Sequence, residues 1–330
     1  MSIPKVAIAC QGGGSHAAFA AGVLAGLLSE EQRGRFELVA LSGTSGGAMC
    51  ASLVWRGLVS SGPEEAARRL LAFWRDLEVH DWADAISNFW GVWWSRLPVT
   101  VDLNPYLYEP AAEQTLRRLL QKHLDLQHLS GDRARPKLLI GATDVLCGDR
   151  VIFTGDQLSY DGVIASAAVP PLFRAVKAGH HLCWDGLFTT NPPVREFTDL
   201  DPRPDEIWLV QINPQRRARE PRSLQEINDR RNELSGNLSL GQELFFVHRI
   251  NRLLESYPVL AERYQPIRIR VVELAGSELD FPSKLDRNPA FIEQLIERGA
   301  HSAEAFFDGR SEWPRAFSTP ARSVIAAAAE

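Results

Sequence analysis

The sequence predicts an α/β layered domain, and three observations carry that prediction. Apolar or β-branched runs at residues 6–10, 36–41, 137–145 and 205–213 have the length of buried strands and alternate with stretches of helical periodicity. Each of the first two runs ends in a glycine-rich turn and passes at once into a helical pattern. No internal repeat or long linker interrupts the alternation. Residues 6–200 hold most of these units, and residues 201–330 form a partly helical carboxyl-terminal extension packed on the same domain.

Taken in order, residues 6–10 are the first strand, followed by Gln11-Gly12-Gly13-Gly14. A helix over 15–28 comes next, with Phe19, Val23, Leu24, Leu27 and Leu28 on one face. Residues 36–41 are the second strand; it runs into Gly43-Thr44-Ser45-Gly46-Gly47 and a helix over 48–55. Pro63 at a first helical position, with two glutamates behind it, opens a helix over 63–78. Trp82, Ile86, Phe89, Trp90, Trp93 and Leu97 then recur at helical spacing, and five of the nine tryptophans lie between Trp74 and Trp94. That stretch reads as an aromatic face on the core, or else as a lid or wall of an acyl-chain pocket, where aromatics bind apolar substrate or touch a bilayer surface. It lacks the basic face of an interfacial anchor.

A helix follows over 109–123, then strands over 137–145 and 150–154. Residues 156–168 read as a helix ended by Pro170-Pro171, and 173–177 as a strand. His180 to Trp184 leads into Asp185-Gly186, and 205–213 extends the sheet. Arg216, Arg217, Arg219 and Arg222 read most simply as a solvated loop, with contact to lipid headgroups as the alternative. Residues 223–256 are mainly helical, with a break expected near Gly236 and Gly241. A strand over 267–274 and a helix over 289–307 complete the pattern.

Composition narrows the function classes. With 330 residues, 45% of them hydrophobic and 23% charged, the chain is ordinary globular material able to bury a sizeable core. A net charge of -5 offers no footprint for nucleic acid. The apolar run near the amino terminus is too short for a signal-peptide core, and no stretch reaches the ~18 apolar residues of a membrane span. The four cysteines contain no C-x-x-C pair, so they read as free thiols in a reducing compartment, and a cytoplasmic protein is expected. Nothing in the sequence marks the oligomeric state.

The chemistry concentrates in the two glycine turns. Strand, Gly43-Thr44-Ser45-Gly46-Gly47, helix is the context of a nucleophile elbow, in which small flanking residues let the chain turn sharply and lift the Ser45 hydroxyl clear of the sheet. The helix behind it favours developing negative charge at its amino end. Gly12-Gly13-Gly14 offers successive N–H groups to an anion. A dinucleotide pyrophosphate is one candidate, since Gly12, Gly14 and Ala17 fit a loose G-x-G-x-x-A fingerprint, but no acidic residue ends the second strand to hold a ribose. The other candidate is the oxyanion of a tetrahedral intermediate formed at Ser45. Ser45 needs a base. Asp185 with His248 or His301 would make a triad, although the elbow comes early for that order. Asp185 alone is the best-placed carboxylate, because Gly186 allows a tight turn that exposes it. His180-His181 make a poor metal pair, because adjacent side chains diverge.

Four segments together resemble the patatin-like lipid acyl hydrolases: QGGGSHAAFAAGVL, LSGTSGGAM, ASAAVPPLF over 165–173, and WDG over 184–186. The resemblance spans about residues 6–200, and the later IWLVQINP and LGQELFFVHRIN look like a bacterial subgroup with a carboxyl-terminal extension. It implies a three-layer α/β/α fold with a mainly parallel sheet and a Ser-Asp dyad, with no cofactor and no metal. Ser45 would be the nucleophile, Asp185 the base, and the amides of Gly12, Gly13 and Gly14 the oxyanion hole. The implied reaction is hydrolysis of a lipid or apolar ester, with transient contact at a membrane surface and no nucleic-acid partner. A non-catalytic lipid- or partner-binding protein that keeps the fold is the alternative. Three positions depart from the family pattern: His16 where many members carry Arg or Lys, Ala17 for a glycine, and Leu187 for a small residue after Asp-Gly.

Overall fold

The computed structural model describes residues 3–78, 104–107, 111–126, 136–170, 172–217, 219–274, 279–280 and 282–307. Its strands are β1 (Lys5–Cys10), β2 (Glu37–Gly43), β3 (Lys137–Asp144), β4 (Arg150–Thr154), β5 (Val176–Ala178), β6 (His181–Asp185), β7 (Glu206–Gln211) and β8 (Arg268–Glu273). They form one sheet in the order β5-β6-β3-β2-β1-β7-β8, with β4 also paired to β3. The pairs β3/β2, β2/β1, β1/β7 and β7/β8 are parallel, whereas β4 and β6 run antiparallel to β3.

The helices are α1 (Ala18–Leu27), α2 (Gly46–Ser60), α3 (Pro63–Leu77), α4 (Ala111–Leu124), α5 (Tyr160–Ser166), α6 (Leu224–Ser256) and α7 (Pro289–Phe306). Side chains alternate across the pleat, so each central strand feeds two cores. On one face Val6, Ile8, Cys10 and Leu41 pack with Phe19 and Leu24 of α1, Leu53 of α2, Leu70 of α3 and Leu295 of α7. On the other, Ala7, Ala9, Ala40, Ile207 and Leu209 pack with Leu240, Leu244 and Val247 of α6. The layers are therefore α/β/α, as the family resemblance implies.

Several element boundaries shift, for local reasons. The turn Gly14–Ala17 is a 3-10 segment ahead of α1, because Gly14 sits at φ +57° and tightens the entry. Helix α5 starts only at Tyr160, where the Ser159 side chain caps it by accepting from the Gly162 N–H. The strand expected over 173–177 shortens to β5 and begins only at Val176. The break expected near Gly236 and Gly241 is absent: α6 runs unbroken for 33 residues. Tertiary contacts outweigh glycine's low helix propensity there, since a Cβ on Gly236 would stand 2.7 Å from the Asn213 side chain. The Trp82 to Trp94 stretch lies outside the described residues. Among the described residues no helix is long and apolar enough to cross a membrane.

Candidate active site

Strand β3 brings the two proposed catalytic groups together. β2 pairs with it only as far as Gly43 opposite Ile140, and β6 takes the same side from Ala142 onward, where Ala142 faces Asp185. One strand climbs beside β3 and the other descends toward it, so their carboxyl ends meet head-on at Gly141. A side chain on Gly141 would stand 2.7 Å from the Thr190 methyl and 2.8 Å from Thr44 Oγ1, so this crossing requires glycine. Ser45 leaves the end of β2 and Asp185 the end of β6. The spacing along the chain gives no hint of this meeting.

Ser45 caps α2 with φ 56° and ψ −128°, a conformation that side chains rarely adopt and that an elbow requires. Its N–H is held by both the carbonyl and the hydroxyl of Ser166, at 3.1 and 3.0 Å, and the Ser166 hydroxyl donates in turn to the Gly141 carbonyl at 2.6 Å. The Asp185 N–H donates to the Ala168 carbonyl at 3.0 Å. The segment ASAAVPPLF thus clamps the backbones of both proposed catalytic residues.

Asp185 is 1% exposed. Burial raises its pKa to about 7, against the smaller opposing effects of the Leu187 N–H and the Ser45 hydroxyl. Its Oδ1 accepts from the Leu187 N–H at 2.8 Å, while Oδ2 is buried without a partner that meets hydrogen-bond geometry. The Ser45 hydroxyl is near enough to Asp185 to oppose the rise in its pKa. Among the described residues no histidine hydrogen-bonds the Asp185 side chain. His301 is exposed and bonds the Glu297 carbonyl of its own helix. His181 pairs with Asp144 at 2.8 Å, and among the described residues no cluster of three metal-binding side chains occurs.

The glycine turn abuts the elbow: a Cβ on Gly12 would stand 2.8 Å from Ser45 Cβ and 2.7 Å from the Thr44 carbonyl. The Gly12 N–H is already engaged, donating to Asn191 Oδ1 at 2.7 Å. Gly13 and Gly14, at the cap and first residue of the 3-10 turn, have N–H groups with no partner among the described residues.

The family profile described as patatin-like phospholipase matches residues 8–198, more than half of the chain and including all of these groups. The chain belongs to the patatin-like phospholipase family. Among solved structures it is similar to VipD from Legionella pneumophila, at 16% identity and a TM-score of 0.41, over 94% of this chain and 68% of VipD. It is also similar to the type III effector protein ExoU, at 15% identity and a TM-score of 0.37, over 93% of this chain and 53% of that one. The heterodimeric ExoU-SpcU complex from the type III secretion system of Pseudomonas aeruginosa gives 17% identity, a TM-score of 0.37, and 94% and 53% coverage. The chain therefore spans about half the length of ExoU. A comparison with curated protein sequences gives no match.

Around the patatin-like turns lies a buried polar frame that residue patterns did not reveal. Asn191 donates from Nδ2 to the Gly236 carbonyl and from its backbone to Ser239 Oγ, both at 3.1 Å. Glu243, two turns along α6 from Gly236, accepts from the N–H groups of Val194 and Arg195 at 3.1 and 2.7 Å. Gln11 reaches Gly236 and Asn237 with Nε2, and Ile212 and Asn213 with Oε1. Isolated Asn, Gln and Ser far apart in sequence give no periodic signal. Two of the departures also find explanations. Leu187 packs toward α6, its Cδ1 at ordinary contact distance, 3.4 Å, from where a Cβ on Gly236 would stand. His16 is buried and bonds Ser283 Oγ at 2.8 Å; burial lowers its pKa to about 3, so it carries no charge at neutral pH.

Proposed function

We propose that this chain is a serine hydrolase that cleaves carboxylic esters of lipids through an acyl-Ser45 intermediate, with Asp185 as the base. The observation that carries the reading is the meeting of a strained Ser45 and a buried, proton-hungry Asp185 at one glycine of β3. A carboxylate in water is too weak a base for a hydroxyl; one whose pKa is near 7 is suited to take its proton at neutral pH. The Ser45 proton passes to Asp185 as Oγ attacks the ester carbonyl. The resulting oxyanion is met by the N–H groups of Gly13 and Gly14, while Gly12, bound to Asn191, seats the turn against the serine. Asp185 returns the proton to the departing alcohol, then takes one from water as its oxygen attacks the acyl carbon, and hands that proton to Ser45 Oγ as the acid leaves. Gly12 thus moves from donor to scaffold within the proposed oxyanion hole.

An apolar substrate suits the surroundings. Phe188, just beyond Asp185, and Leu172, in the clamp segment, are exposed hydrophobics, and Phe188 packs on Trp184 with ring centroids 6.3 Å apart. Transient contact with a membrane surface fits these exposed apolar side chains, and the free cysteines fit a cytoplasmic location. Labelling by a serine-reactive fluorophosphonate, alongside hydrolysis of a short chromogenic ester, tests the proposal. Wild type is expected to label and turn over. Ser45→Ala is expected to lose labelling, and Asp185→Asn to lose about a thousandfold or more in kcat. A folded wild type with neither labelling nor turnover would leave a lipid-binding protein that keeps the fold.

A further inference from the structure

Lys284, in the 3-10 turn Pro282–Leu285, packs its carbonyl against Gly14, where a Cβ would collide with it. Its Nζ donates to Asn213 Oδ1 at 2.6 Å and to Asn232 Oδ1 at 2.5 Å. Asn213 Nδ2 donates to the Gly12 carbonyl at 3.3 Å. An ammonium group only donates, so Oδ1 of Asn213 must face Lys284 and Nδ2 must face Gly12. The Gly12 N–H only donates, so it fixes the Asn191 amide in the same way, with Oδ1 toward Gly12.

The peptide that matters is the one joining Gly12 to Gly13. Its carbonyl oxygen receives the Asn213 amide, and its N–H is that of Gly13, one of the two free donors of the turn. A hydrogen bond accepted at a peptide oxygen withdraws electron density from the nitrogen and sharpens its N–H as a donor. A charge-assisted bond to Asn213 strengthens that effect further. We infer that Lys284 and Asn213 are positioning residues for the oxyanion turn: the Lys284 ammonium, relayed by the Asn213 amide, orients and polarises the Gly12–Gly13 peptide toward the negative charge that forms at Ser45. This rests on the hydrolase reading and adds to it a part of the chain outside the family match.

The groups facing Lys284 are consistent with a charge kept for a purpose. Asp229 and Glu233 of α6 are buried beside it and favour its protonated form, although burial brings its pKa down to about 8. Glu233 is shared with Arg217 and Arg230, at 2.8 and 3.0 Å. His16 of the glycine turn is neutral, and Asp280 lines the same small cavity.

The test compares wild type, Lys284→Met and Lys284→Gln. Fluorophosphonate labelling rates and ester kinetics are expected to show a tenfold or greater loss in kcat for Lys284→Met, with KM changed less than twofold. Lys284→Gln, which keeps a donor without the charge, should recover part of the loss. The wild-type labelling rate should also fall above about pH 8, and Lys284→Gln should lack that limb. Equal kcat in wild type and both folded variants, or a loss confined to KM, would overturn the inference. A second readout needs neither turnover nor a substituted protein: with [15N]glycine label, the Gly13 amide resonance should shift between pH 7.5 and 9. A Gly13 resonance unmoved over that range would reject the relay even if Lys284→Met failed to fold. Loss of all activity in wild type with a titrating Gly13 would instead fault the hydrolase reading alone.

Discussion

Asp185, the proposed base, shows how one buried group would set both chemistry and stability. Its folded pKa, about 7, lies above the ordinary value of 3.8. Between those values the folded protein keeps a proton that the unfolded chain has released. Raising the pH therefore removes stability from about pH 4 up to about pH 7, and the penalty stays constant above that. At about 1.36 kcal/mol for each pH unit between the two values, its size is about 4 kcal/mol. Asp185→Asn, which mimics the protonated acid, is expected to melt higher than wild type at pH 8, with the difference vanishing toward pH 4. A melting difference that is flat with pH would show that the carboxyl does not carry this penalty. Activity has the opposite sign: kcat/KM should rise with pH through about 7 as the base ionises, so the site gains its function where the fold loses stability.

At the scale of elements, α6 and β3 hold the site through glycines whose role is close approach. In an open helix, Gly→Ala stabilises by up to about 1 kcal/mol. Gly236→Ala is expected to reverse that sign, because the new methyl meets the Asn213 amide at 2.7 Å and disturbs its bond to Gly12. A lower melting temperature together with a lower kcat would be the signature, and a gain in stability with unchanged kcat would count against the packing described. Gly141→Ala should be more severe, at about 2 kcal/mol or more, since Thr190 and Thr44 both crowd the added carbon and both are tied, Thr44 Oγ1 donating to the Thr190 carbonyl at 2.6 Å. Chemical denaturation of the purified variant measures it directly.

Across the whole molecule, the family match ends at residue 198, but the fold does not. β7 pairs with β1 and β8 with β7, α6 covers one face of the sheet, and α7 packs against α1. A fragment of residues 1–200 would leave β1 as a bare edge and uncover Ala7, Ala9 and Ala40. It is expected to be insoluble, or to unfold without a cooperative transition when followed by circular dichroism. A soluble fragment with a sharp melt would show the later strands and helices to be dispensable for folding.

The sequence by itself determined the parts whose signal is local. Strand length and apolar alternation marked the sheet, and the small residues around Ser45 marked the elbow. The four segments in order pointed to the patatin-like family and to Asp185 as a candidate. Local patterns fail where a contact is long-range. The continuity of α6 through Gly236 contradicts a propensity that is real but worth only about 1 kcal/mol, less than the packing opposed to it. The engagement of the Gly12 N–H by Asn191, the hold of Ser166 on Ser45, and the reach of Lys284 to the glycine turn depend on residues far apart in the chain. Only the tertiary structure decided these. A buried polar group must find a partner wherever the fold brings one, and such a partner carries no periodicity that a sequence can display.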